Sequence, residues 1–211
     1  HVRTLKTGYR ISNLQTVLSV ADKHRFGVVA TNIRSPIILN AVLRAAWEVK
    51  SPVILEVAES EVQYCEMPPA RLSDLAHDGI EKMIKEFGYS VPVVLHHDHI
   101  KKDVEGCMRR TIEVGFSSLE IDLSHRPQAE NIEKCLPVVR TVHPLGISLE
   151  VEEGEVGAAS ALADPEVEKH VANYYTKVSE AQSLVKAIRP EAIAFFVGNG
   201  HGVYLKTPSI G

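Results

Sequence analysis

Six short apolar runs alternate with helix-length amphipathic stretches along this chain, and that alternation limits its possible folds more than any other feature. The runs are Gly27–Thr31, Val53–Val57, Val91–Leu95, Ser118–Asp122, Ile147–Glu152 and Ala192–Val197. Most are near-continuous rather than alternating, as expected of parallel strands covered on both faces. Ser35-Pro36 reads as an N-cap with proline at the first helical position, followed by Ile37, Ile38, Ala41, Val42 and Ala45. Helices are also predicted over Arg71–Phe87, Lys101–Val114, Glu130–Val142 and Ser179–Ile188. One more is predicted over Ile11–His24, ahead of the first strand, with Leu14, Val17, Leu18 and Ala21 aligned.

A βα repeat of this kind allows a (β/α)8 barrel or a doubly wound sheet. Polar residues cluster after the third, fifth and sixth runs. A barrel gathers such ends around one mouth, whereas an open sheet concentrates them at a single switch point. The expected fold is therefore an α/β (β/α)8 TIM barrel, one domain over residues 1–211 with residues 1–25 as an N-terminal extension and helix. Six βα units are visible in 211 residues, against roughly 250 residues for a full barrel, so the barrel is expected to be incomplete.

Composition narrows the partners. A net charge of −4 with no long basic run gives no electrostatic reason to expect nucleic acid. No apolar stretch reaches the roughly 20 residues of a membrane helix, and the N-terminus shows no signal-peptide pattern. Cys65, Cys107 and Cys135 are widely spaced without a CxxC, which fits a reducing compartment. A soluble cytoplasmic protein with a small-molecule substrate is expected.

The three polar clusters carry chemistry. His96-His97-Asp98-His99 offers imidazoles for a metal ion and a carboxylate for proton transfer. Glu150 and Glu152 share one strand face, and a carboxylate pair inside a barrel needs a cation or a proton to be tolerated. In Gly198-Asn-Gly-His-Gly202 the glycines permit close backbone approach to a ligand, with His201 between them. Around one opening these describe a metal site with His99, His201 and Glu152 as candidate ligands.

Those same residues resemble the class II, metal-dependent fructose-bisphosphate aldolases. The matching segments are Leu95-His-His-Asp-His99, Gly115–Ser124, Glu130-Asn-Ile132, His143-Pro-Leu-Gly146 through Glu152, and Gly198–Tyr204, with Ala30-Thr-Asn32 and Lys50–Ile54 upstream. The resemblance implies a carbon–carbon lyase that reversibly cleaves fructose 1,6-bisphosphate to dihydroxyacetone phosphate and glyceraldehyde 3-phosphate through a metal-stabilised enediolate. It implies Asp98 as the acid/base at the C4 hydroxyl, and His99 and His201 as ligands of Zn²⁺ or another divalent transition metal. Glu152 matches a carboxylate at an inner metal position, and Asp122 a secondary cation site or a hydrogen bond. Asn32, Ser60 and the backbone of Gly202 would meet the phosphorylated sugar. A homodimer or higher homo-oligomer is implied as well.

The chain also departs from the family pattern. Glu153–Gly157 runs into Ala158-Ala-Ser-Ala-Leu162 where a Gly-Gly-Glu-Glu-type proton-transfer loop is expected. Leu205 stands where a lysine follows His-Gly-Val-Tyr, Ala58 stands at a usual serine, and no third histidine follows His201. The expectation is that segments of a longer enzyme are joined at Gly157–Ala158 and Tyr204–Leu205, with Cα spacings there well beyond ~3.8 Å. Three other functions remain open: a tagatose-bisphosphate aldolase, a barrel hydrolase suggested by His97-x-His99, and a non-catalytic metal-binding barrel lacking the proton-transfer loop.

Overall fold

The computed structural model describes residues 8–154 and 175–199. Six strands, β1 (Val29–Asn32), β2 (Val53–Ala58), β3 (Val93–Ile100), β4 (Ser118–Ile121), β5 (Ser148–Glu153) and β6 (Ala192–Phe195), form one sheet in the order of the chain. Every neighbouring pair is parallel. The sheet curls into a partial barrel, with helices α1 (Leu14–His24), α2 (Pro36–Val49), α3 (Pro69–Phe87), α4 (Val104–Glu113), α5 (Gln128–Val142) and α6 (Val178–Ile188). A doubly wound sheet would reverse its strand order at a switch point. Among the described residues this one does not, so the barrel expectation holds, and the six strands described make an incomplete barrel, as foreseen. The proposed junctions at Gly157–Ala158 and Tyr204–Leu205 lie outside the described residues.

Most element boundaries follow local chemistry. Asn13 caps α1 by accepting from the Thr16 amide, which starts the helix at Leu14 rather than at Ile11. Ser35 caps α2 through the Ile38 amide, with Pro36 in the first turn. Asp103 caps α4 at the Gly106 amide, so this helix begins three residues later than Lys101. The larger correction concerns β3, expected to end at Leu95 but running on to Ile100. Parallel neighbours on both sides, β2 as far as Ala58 and β4 to Ile121, keep pairing with its backbone through the histidines.

The two faces of the sheet bury different chemistry. Outward residues Val53, Leu55, Val57, Val93 and Leu95 pack with α2 and α3, and Leu119, Ile121, Leu149 and Val151 with α4, α5 and α6. On the inner side Ile54 and Val94, near the strand starts, pack against Leu14 and Val17 of α1. The Asn13 side chain donates to the Gly146 carbonyl at 2.8 Å, and the Gln15 amide to Ser148 Oγ at 3.1 Å. Helix α1 thus closes the N-terminal end of the partial barrel, and the inner residues toward the other end are left for polar chemistry. Among the described residues no helix is long and apolar enough to cross a membrane.

Candidate active site

Strand alternation sets the inner wall. Register aligns Glu56 with His96 and Ala58 with Asp98, His96 with Ser118, and Glu120 with Glu150. Strand β3 then breaks the alternation. Its pairing with β4 shifts between His97 and Ile100, and His99 adopts a left-handed φ of 51°. A regular strand would send His99 outward after the inward Asp98. The bulge returns it to the inner side. There His99 Nδ1 lies 3.0 Å from Asp122 Oδ2 and 3.6 Å from both Glu120 Oε2 and Glu152 Oε2. The His99 amide donates to Glu120 Oε2 at 3.0 Å.

The remaining histidines of the run divide by face. His96 points inward, with Nδ1 2.8 Å from Ser118 Oγ and Nε2 3.7 Å from Glu150. His97 points outward, fully buried between Thr111 and Glu59. Asp122 is also fully buried, and both its oxygens are engaged. Oδ2 faces His99 and Lys101 Nζ (2.6 Å), while Oδ1 accepts from the Ser124 hydroxyl (2.6 Å) and amide (3.2 Å).

Six carboxylates, Glu56, Asp98, Glu120, Asp122, Glu150 and Glu152, therefore crowd one wall, and Glu56, Glu120 and Glu150 hold their protons more tightly for it. Burial, reinforced by the charge of Asp98, pushes Glu56 up to about 8 and Glu150 up to about 7. Glu120 rises well above the carboxylate range, through burial and then its contact with Asp98. His99 is raised to about 9, chiefly by its hydrogen bond to Asp122. Burial alone would lift Asp122, but the donors His99, Lys101 and Ser124 together hold it well below the usual range. Burial lowers His96 to about 4, so it is neutral at pH 7.

This donor set fits a divalent cation. Ligand atoms of His99, Glu120 and Glu152 all lie within 4.8 Å of one another, as do those of His96, Asp98 and Glu120. One imidazole with two buried carboxylates suits Zn²⁺ and similar ions, and the excess negative charge is what such an ion would neutralise.

The structure brings Asp98, His99, Asp122 and Glu152 together. Asn32 ends β1, and its Nδ2 donates to Glu61 Oε2 at 3.1 Å. Arg34 also donates to Glu61, from Nε at 2.9 Å. Ser60 is exposed in the 3-10 turn Glu59–Glu61 after β2. His201 and Gly202 lie outside the described residues. Sequence reasoning passed over Glu120, Glu56 and Lys101. Glu120 was legible as the residue two before Asp122 on the same strand face, and Glu56 as the position paired with His96.

Comparison with known proteins decides the family. The family model described as "Fructose-bisphosphate aldolase class-II" matches residues 12–210. The chain belongs to the class II fructose-bisphosphate aldolase family. It is 31% identical over 196 residues to a fructose-bisphosphate aldolase of Giardia intestinalis, covering 92% of this chain and 55% of that protein. A probable fructose-bisphosphate aldolase of Bacillus subtilis is 31% identical, with coverages of 94% and 66%. A Bacillus licheniformis 6-phospho-5-dehydro-2-deoxy-D-gluconate aldolase is 32% identical, with coverages of 94% and 64%. The chain thus spans 55% to 66% of the length of these relatives. Among solved structures, the YdjI aldolase of Escherichia coli K12 superposes with a TM-score of 0.73 at 26% identity, over 95% of this chain and 66% of that one. Class II aldolases are generally metal-dependent, which agrees with the acidic wall.

Proposed function

We propose that this class II aldolase is a zinc-dependent lyase that reversibly cleaves fructose 1,6-bisphosphate to dihydroxyacetone phosphate and glyceraldehyde 3-phosphate. The observation that carries the reading is the β3 bulge, which sets Asp98 and His99 side by side on a wall of carboxylates. His99 and Glu152 would hold the ion together with His201. A bound divalent metal supplies Lewis-acid polarisation of the substrate carbonyl. Asp98, whose side chain is 17% exposed, would take and return the proton of the C4 hydroxyl. Asp122, 3.0 Å from His99 Nδ1, would orient the ring and leave Nε2 for the ion. Asn32, Ser60 and the Gly202 amide would bind the substrate from the strand ends after β1, β2 and β6.

The chain is further proposed to form a single barrel domain over residues 1–211 and to act as a cytoplasmic homodimer. Free Cys65, Cys107 and Cys135 support a reducing compartment.

The test combines metal analysis with coupled turnover of fructose 1,6-bisphosphate, tagatose 1,6-bisphosphate and 6-phospho-5-dehydro-2-deoxygluconate, with and without chelator. Cleavage of the fructose ester that is lost with chelator and restored by Zn²⁺ is expected. Preference for either other sugar reassigns the substrate within the family. Chelator-insensitive cleavage overturns the metal mechanism. Bound zinc without turnover of any of the three leaves a non-catalytic barrel.

A further inference from the structure

The bulge that presents Asp98 and His99 is held from outside the barrel by a cluster that the proposed chemistry does not use. His97, the residue just before Asp98, faces away from the inner wall and is fully buried. Its Nδ1 lies 2.8 Å from Thr111 Oγ1 and its Nε2 2.9 Å from Glu59 Oε2. The Thr111 hydroxyl also lies 2.8 Å from the Cys107 carbonyl, which fixes it to the α4 backbone. The ring is gripped at both nitrogens, by α4 on one side and by the turn after β2 on the other. Phe116 meets it edge-on, with ring centres 6.4 Å apart. Arg110 stands 3.6 Å from Glu59 Oε1 and steadies that carboxylate.

Two residues beyond His97 the chain leaves regular strand geometry. A non-glycine residue keeps a left-handed conformation such as that of His99 where its surroundings over-determine it. From inside, Glu120 takes the His99 amide and Asp122 its ring. From outside, the fixed point is His97, and the side chain that reaches it from a different strand connection is Glu59. The same turn carries Glu61, which ties down Asn32 and Arg34.

We propose that Glu59 is a positioning residue, anchoring β3 through His97 and thereby setting where Asp98 and His99 sit. The roles of those two residues rest on the function proposed above, whereas their placement does not. The test uses the full chain with Glu59→Ala, Glu59→Gln and Glu59→Asp. Two quantities decide the outcome: the histidine ring resonances of metal-free, ¹⁵N-histidine-labelled protein, and Zn²⁺ affinity by competition with a chromophoric chelator. Glu59→Ala is expected to shift the His99 resonances and to weaken Zn²⁺ binding by about tenfold or more, the size seen when a side chain supporting a metal ligand is removed. Turnover should fall in kcat with little change in KM. Glu59→Gln, which keeps a hydrogen-bonding group at His97, should restore most of both. Unmoved His99 resonances and affinity in Glu59→Ala overturn the proposal, even if thermal stability drops, because that pattern marks a purely structural contact. If Glu59→Ala does not fold, Glu59→Asp decides, since it draws the carboxylate back by one methylene; an unmoved His99 there overturns the proposal as well. If the unmodified protein binds no Zn²⁺, the proposed function fails, and the His99 resonances still decide the role of Glu59.

Discussion

The outer and inner faces of one sheet follow opposite physical rules. Outward from β2 to β5, Leu55, Val57, Leu95, Leu119, Ile121, Leu149 and Val151 are buried against helices. Their contribution is non-directional, grows with area, and owes nothing to any ion. Inward, the same strands carry Glu120 and Glu152, both buried, and the half-buried Glu56, Asp98 and Glu150, close together at a cost in desolvation and like-charge repulsion. One face makes the fold stable. The other works against stability, as a wall that holds the proposed cation and proton carrier would.

The contrast breaks most sharply at Asp98. Asp98→Asn is expected to cut turnover by about 10²–10⁴-fold while zinc content stays unchanged. Zinc lost together with turnover would assign Asp98 a structural role. His99→Ala should instead lose the metal, and activity with it, as read by metal analysis of the purified protein. An outer-face truncation should do the reverse. Leu149→Ala, at a fully buried position, is expected to cost about 2–5 kcal/mol in urea unfolding, with zinc affinity of the folded protein unaltered.

A smaller effect sharpens the comparison through pH. Glu56 and Glu150, raised from 4.5 to about 8 and 7, bind protons more tightly folded than unfolded, as does His99, raised from 6.5 to about 9. Their favourable contribution is complete at low pH and is lost as pH rises through the folded values. His96, lowered from 6.5 to about 4, has the opposite sign, and its contribution disappears as pH falls below 6.5. Metal-free protein should therefore lose thermal stability between pH 6.5 and 9, and saturating Zn²⁺ should flatten or reverse that loss. A flat metal-free profile would mean that the wall is not strained. Smallest of all, Glu56→Gln should raise the metal-free Tm at pH 9 and leave it nearly unchanged at pH 5.

Much of this was legible in the residues. The apolar runs marked all six strands because parallel strands are buried on both faces, and Ser35 marked a helix start because its side chain caps a free amide; the cap at Asn13, which starts α1 three residues after Ile11, shows only in the structure. Strand β3 was read as too short, since histidine and aspartate look like a loop until pairing from both neighbours is known. Glu120 and Glu56 were missed because a lone glutamate in an apolar run carries no label of its own. Only their convergence with Asp98 and His99 gives them meaning.

The sequence by itself determined the order of strands and helices, the family, and the presence of a carboxylate and an imidazole side by side at Asp98 and His99. It also determined that Glu150 and Glu152 share a face, because strand alternation is a local rule. Tertiary structure alone decided which way each histidine of the run points. Simple alternation would have sent His97 and His99 outward together. The bulge against β4 separates them, leaving His97 between Glu59 and Thr111 and bringing His99 back to the acidic wall. A register shift is a property of two paired strands, and no single strand records it.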